Sequence, residues 1–286
     1  VDTFLIPAGA KVPGAEPAFG VGGVKKPLAL SLGVTHDSYA HLSIPGPGGP
    51  GICFMPDQLI SMADGSLKQI INILKQGITT VVVGNDGDSY FPISDYKSLY
   101  ESQGIGTNVV MLVGHGTIRN KVLGNINKKP NLDELSEMKK LITQEMSSGA
   151  FGMSTGLFYS PGSYSNTEEI VSLAKIVSDN GGIYDTHLRD ESNYNIGLIS
   201  AVKETIDIGL KANIPVHISH IKCLGRDVWH QSDSIIKLIE FYRNKGLSIT
   251  ANQYPYDASA TSLKGAVVPR WAESGGKDSL FIRFNN

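Results

Sequence analysis

"GGIYDTHLRDES" (residues 181–192) is an apolar run that ends, within one turn of chain, in four ionisable side chains: His187, Arg189, Asp190 and Glu191. "IPVHISHIKCLG" (214–225) repeats the pattern and closes on His220 and Lys222. A short run of this kind reads as a buried strand, and polar residues gathered at its carboxyl end read as chemistry mounted on a rigid scaffold.

Outward from these two, the same reading marks strands at "ITTVVVGN" (78–85), "NVVMLVGH" (108–115), "GAFGMSTG" (149–156) and "LSITANQY" (247–254), beside "GIYDTHLR" (182–189) and "PVHISHIK" (215–222). Helical segments lie between them. "NLDELSEMKKLITQEMSSGA" opens at a cap residue, Asn131, carries Asp133 and Glu134 in its first turn and stops at Gly149, as capping and the helix dipole require. "SNTEEIVSLAKIVSDNGG" has Ser165 or Asn166 as cap, Ile170, Leu173, Ala174 and Val177 as an inward stripe, and Gly181 as terminator. Strands alternating with helices specify βα units and a parallel sheet. Six units, or seven if "GICFM" (51–55) is also a strand, predict an α/β chain with a TIM-like (β/α)8 barrel that lacks its eighth strand, rather than a doubly wound sheet. Residues 1–57, rich in Gly and Pro, suit loops or a small β subdomain with the first barrel strand; residues 58–286 form the barrel.

Composition bounds the function. Of 286 residues 41% are hydrophobic and 18% charged, and the net charge is -2 with no basic block. Long-range attraction to nucleic acid or an anionic membrane is therefore missing, and the expected partner is a small molecule. Cys53 and Cys223 form no CxxC pair, which fits a reducing, cytoplasmic setting. No apolar run has the length of a membrane span, and the first residues do not read as a signal peptide.

Barrel enzymes build their sites at the carboxyl ends of the strands, where His115, His187 and His220 fall. One histidine there is more often structural; three suggest a metal, because neutral imidazole is the commonest ligand and a catalytic zinc needs about three protein donors. Asp86, in "GNDGDSYFP", is a candidate third donor, against the plainer reading of an Asp-Gly turn kept for its backbone. "GPGGPG" and "GVGGVKK" lack the strand, helix and spacing of a phosphate loop.

"GAFGMSTGLFYSPGSYSNTEEI", "GGIYDTHLRDES", "VHISHIKCLG", "ANQYPYDASATSL" and "VPRWAESGG" together resemble the N-acyl-D-amino-acid deacylase (D-aminoacylase) branch of the amidohydrolases, over roughly residues 58–276. The resemblance implies a zinc-dependent barrel, with one or two ions, that cleaves the amide of N-acyl-D-amino acids. It places the family's two strand-end histidines on His187 and His220. It sets Asp86 where the family's "GNCG" turn has a metal-binding cysteine. Lys222, Tyr254 and Arg270 resemble the residues that hold the substrate carboxylate, and Tyr159 resembles a residue lining the pocket; His115 is grouped with these as a substrate contact.

Two features depart from the family. "PGICFMPDQ" (50–58) has no His-x-His pair, and His36 and His41 have the wrong spacing; no residue matches the eighth-strand aspartate, so the catalytic base is unassigned. The expectation is a truncated member with about half a deacylase site. The alternatives are a catalytically incompetent fragment, or a related dipeptidase or cyclic-amide hydrolase.

Overall fold

Six parallel strands lie side by side in the order in which the chain makes them. They are β5 (Thr80–Val83), β6 (Asn108–Gly114), β7 (Gly152–Gly156), β8 (Ile183–His187), β9 (Val216–Ile218) and β10 (Ile249–Ala251). A doubly wound sheet reverses strand order at a switch point; an unbroken sequential order is the barrel arrangement. The sheet curls as half of such a barrel. This computed structural model describes residues 80–103, 108–254, 259 and 261–285, together with strands β1 (Asp2–Leu5), β2 (Ala29–Leu32), β3 (Leu59–Ser61) and β4 (Leu67–Gln69). β1 pairs with β2, and β3 with β4, both antiparallel. The "GICFM" strand, Cys53, His36 and His41 lie outside the described residues.

Among the described residues the α-helices are α1 (Ile93–Gln103), α2 (His115–Leu123), α3 (Leu132–Ser147), α4 (Thr167–Asp179), α5 (Leu198–Ala212), α6 (Ser232–Asn244), α7 (Leu263–Val267) and α8 (Gly276–Asn285). α3 starts where its sequence says. The Asn131 side chain accepts from the Glu134 amide at 2.8 Å and the Glu134 carboxylate accepts from the Asn131 amide at 2.9 Å, a reciprocal cap. Asn166, not Ser165, caps α4 through the Glu169 amide. Ile170, Leu173, Ala174 and Val177 are all buried. They join Met138, Ile142, Val202 and Ile206 of the neighbouring helices and Met153, Tyr184 and Ile218 of the strands in one core between sheet and helices. Each fully buried aliphatic side chain there stabilises the fold by about 1.5–3 kcal/mol.

Because side chains alternate along a strand, the next residues face the other way. Leu112 and Ile183 face that inner side and, with Phe151 just before β7, form a separate, smaller cluster. Above Ile183 on the same face of β8 come Asp185 and then His187, so the inner face changes from apolar to polar toward the carboxyl end. The fold thereby points chemistry at one end of the sheet. Among the described residues, no helix is long and apolar enough to cross a membrane.

Candidate metal centre

His187 is the last residue of β8, and His220 lies two residues beyond the end of β9 in a left-handed backbone conformation (φ 39°). Asp86 sits in the turn after β5 and is also left-handed (φ 57°), a conformation that Asp and His tolerate better than most residues. Nδ1 of His187 lies 3.0 Å from Nε2 of His220. Oδ1 of Asp86 lies 3.3 Å from that Nε2 and 3.9 Å from that Nδ1. Three atoms bonded tetrahedrally to zinc at about 2.1 Å stand about 3.4 Å apart, so the donor set fits one ion with little movement. Among the described residues, this trio is the group of His, Cys, Asp and Glu side chains whose ligand atoms all lie within 4.8 Å of one another.

The turn that carries Asp86 is held by close backbone approaches. The Gly87 amide donates to Oγ of Ser154 at 3.0 Å, and that hydroxyl donates onward to the Gly84 carbonyl. Gly87 O accepts from the Thr117 amide at 3.1 Å, at the start of α2. A Cβ on Gly156 would stand 2.0 Å from the Asp86 carbonyl oxygen. Only glycine fits there.

The electrostatics of the cluster follow from burial and charge. Burial lowers His187 to about 4, keeping its ring neutral with a free lone pair. Burial opposes charge on His220 too, but Asp86 and Glu191 outweigh it and raise that ring to about 9. Glu191 is buried, yet His187, His220 and Lys222 hold its carboxyl near 2. Burial lowers Lys222. The pocket is thus built to hold positive charge between two carboxylates, Asp86 on one side of the His220 ring and Glu191 on the other.

Glu191, named in the strand-end cluster but given no place among the metal or substrate residues, joins this group. Its Oε1 lies 3.2 Å from Nδ1 of His220 and 2.6 Å from Nζ of Lys222. A carboxylate on the ring nitrogen opposite the donor fixes the tautomer and orientation of a ligating histidine. The available signal was position: Glu191 follows His187 by four residues, in the same strand-end cluster. Its neighbour Asp190 has a different task, accepting from the amides of Ser192, Asn195 and Gly197 and so shaping the 190–197 loop.

The residues expected to meet substrate divide. The Tyr159 ring stands 4.8 Å from that of His187, and its hydroxyl lies 3.1 Å from Oγ1 of Thr261. Lys222 Nζ lies 2.9 Å from Nδ1 of His220 and 5.4 Å from the centre of the Tyr254 ring. Burial raises both tyrosines, Tyr254 to about 12. Arg270 stacks on Phe158 at 4.5 Å, and Phe158 in turn lies 5.8 Å from His187. Its guanidinium already donates to Glu273 at 2.5 Å and to the Gly265 carbonyl, so a substrate carboxylate would have to share it. His115 is not brought to this cluster. It is fully buried, with Nε2 bonded at 2.8 Å to Glu169, which also takes the buried Arg119 guanidinium. In place of the expected substrate contact, His115 joins a buried helix-to-helix cluster with Glu169 and Arg119, and its position just after a strand could not distinguish the two.

No family model matches the chain. It is 30% identical to D-aminoacylase of Alcaligenes xylosoxydans xylosoxydans over 90% of its own length and 57% of that protein's. To N-acyl-D-glutamate deacylase of the same organism it is 29% identical over 66% and 42%. Among solved structures it is similar to a D-aminoacylase described as defining a novel subset of amidohydrolases (TM-score 0.58, 32% identity, 64% of this chain and 43% of that one). It is also similar to N-acyl-D-glutamate deacylase from Bordetella bronchiseptica, complexed with zinc and a phosphonate inhibitor (TM-score 0.61, 28% identity, 64% and 43%). The fold is that of an amidohydrolase barrel. Within that class the relatives it matches are N-acyl-D-amino-acid deacylases. It spans a little over half the length of the D-aminoacylase it matches.

Proposed function

We propose that the chain contributes the metal pocket of a zinc-dependent hydrolase that cleaves N-acyl-D-amino acids to a carboxylate and a D-amino acid. The observation that carries this reading is the convergence of Asp86, His187 and His220, with donor atoms 3.0 to 3.9 Å apart, in a chain whose relatives are deacylases of that substrate class. Zinc, when bound, supplies Lewis-acid polarisation of an amide carbonyl and acidifies a water. Asp86, His187 and His220 would hold it, and Glu191 keeps the His220 ring turned toward it. Lys222 and Arg270 are placed to attract the free carboxylate of the substrate, each exchanging part of its bond to Glu191 or Glu273 for a charge-assisted bond to the ligand. Tyr159 and Phe158 cover the His187 side and exclude water there. The pair of aromatic rings also offers an apolar wall for an acyl chain.

The test is an assay of the protein with zinc and N-acetyl-D-amino acids, beside the L-enantiomers and the His220→Ala variant. Where the rest of the site is present, release of acetate from D-substrates alone, dependent on zinc and lost in the variant, is expected. Turnover that survives both metal removal and His220→Ala would overturn the reading.

A further inference from the structure

Asp185 is fully buried on the inner face of β8, two residues before His187, and no role at the site has yet been given to it. Its two oxygens reach different elements. Oδ2 accepts from Nδ2 of Asn85 at 3.2 Å, in the turn beside Asp86. Oδ1 accepts from Oγ of Ser219 at 2.7 Å, the residue before His220. One carboxylate therefore touches the neighbour of each of two ligand-bearing positions while standing on the strand that carries the third. The register adds to this: Asp185 is the Cα partner of Ser154 on β7, whose hydroxyl clamps the Asp86 turn from the other side.

We propose that Asp185 is a positioning residue for the metal pocket, a strut that sets the spacing of Asp86 and His220 through Asn85 and Ser219. The reasoning is mechanical. Asp86 and His220 both sit in left-handed backbone conformations outside regular structure, where no sheet ladder fixes their direction. Each is adjacent to a residue tied to the same rigid strand, so the two turns cannot move independently. Without the carboxylate, Asn85 and Ser219 lose their common partner; the Ser219 amide keeps its bond to the Thr186 carbonyl and the Asp86 turn keeps its Ser154 clamp, but the link that sets the spacing of the two donors is gone. This rests on the metal reading above, and it adds the claim that affinity depends on a residue that never touches the ion.

The experiment measures zinc affinity of the whole chain by competition with a chromophoric chelator for Asp185→Ala, Asn85→Ala, Ser219→Ala and the Asp185→Ala/Ser219→Ala double variant. Removal of such a supporting residue typically costs about 10- to 100-fold in metal affinity. Asp185→Ala is expected to lose about tenfold or more, each partner variant somewhat less, and the double no more than Asp185→Ala, because the contacts act through one group. Wild-type affinity in folded Asp185→Ala, or losses that simply add in the double variant, would overturn the strut. Should Asp185→Ala not fold, Ser219→Ala and Asn85→Ala decide: wild-type affinity in both refutes it. If wild-type zinc binding is itself indifferent to His220→Ala, the metal reading fails separately. The strut then stands or falls on amide exchange at Gly87, which must quicken in Ser219→Ala.

Discussion

Oε1 of Glu191 lies 3.2 Å from Nδ1 of His220, on the side of the ring opposite the nitrogen that faces Asp86 and His187. The two residues come from different strand ends, and the contact joins the loop after β8 to the turn after β9. It sets a carboxylate beside Nδ1, which Nζ of Lys222 also approaches at 2.9 Å. Glu191→Gln keeps an acceptor but loses the charge, and should weaken zinc binding about tenfold; Glu191→Leu removes the acceptor and should weaken it about 100-fold. Equal affinity in wild type and Glu191→Leu, read by chelator competition, would show the contact to be incidental.

The resemblance sets Asp86 where a metal-binding cysteine is expected, and a thiolate is a softer donor than a carboxylate. Asp86→Cys should therefore raise affinity for zinc relative to magnesium or manganese. With cobalt in place of zinc the variant should show a thiolate charge-transfer band absent from wild type. The φ of 57° at this position sets a cost, since cysteine lacks the local hydrogen bonds that let aspartate adopt it; about 1 kcal/mol of stability is expected to be lost. An unchanged cobalt spectrum would exclude residue 86 from the coordination sphere.

Gly156→Ala should be among the most disruptive single changes in the sheet. The added methyl would lie 2.0 Å from the Asp86 carbonyl oxygen and 3.3 Å from the Tyr159 ring, and the obstructing atom is backbone. Overpacking of this kind costs about 1–3 kcal/mol and sometimes more. Urea unfolding should show a lowered midpoint, and zinc binding should fall with it because the turn must move. A midpoint within error of wild type would mean that the turn is looser than it looks.

Acid stability is expected to depend on the cluster behind α2. Burial works against charge on Glu169, but His115 and Arg119 outweigh it and hold the carboxyl below the usual range. A carboxyl depressed on folding contributes stability that is fully present above the unfolded value, about 4.3. That contribution is lost as pH falls toward the depressed folded value. Glu169→Gln should cost about 3–5 kcal/mol near neutrality by leaving Arg119 buried without its partner. It should also flatten the fall of the urea midpoint between about pH 5 and pH 2. A variant whose midpoint falls in parallel with wild type over that range would place the acid sensitivity elsewhere.

How much of this was legible in the chain depends on distance along it. The strands and their carboxyl ends were readable because alternation and β-branched runs are local, and each helix cap was written in the few residues around Asn131 and Asn166. His187, His220 and Asp86 stood out because ionisable residues at the end of an apolar run break its pattern. The roles of Glu191 and Asp190 could not be told apart in sequence, since adjacent carboxyls differ only in which way the backbone turns them. Asp185 offered a signal that went unread: a charged residue inside a buried strand, two positions from a ligand and so on the same face. His115 failed in the opposite sense, since a partner 54 residues away, Glu169, decides its role, and no local pattern announces it.

The sequential order of the strands gives the pocket a history as well as a geometry. Each new strand pairs with the one made just before it, so the sheet can lengthen at a single edge while the chain is still being synthesised. The turn bearing Asp86 emerges first and waits for Ser154 on β7 to clamp it; His187 arrives with β8, and His220 only after β9. A nascent chain ending anywhere before residue 220 holds scaffold without a trap for the ion. Capture of a cation would thus wait for β9, and it would draw three separately made segments of polypeptide to a single point.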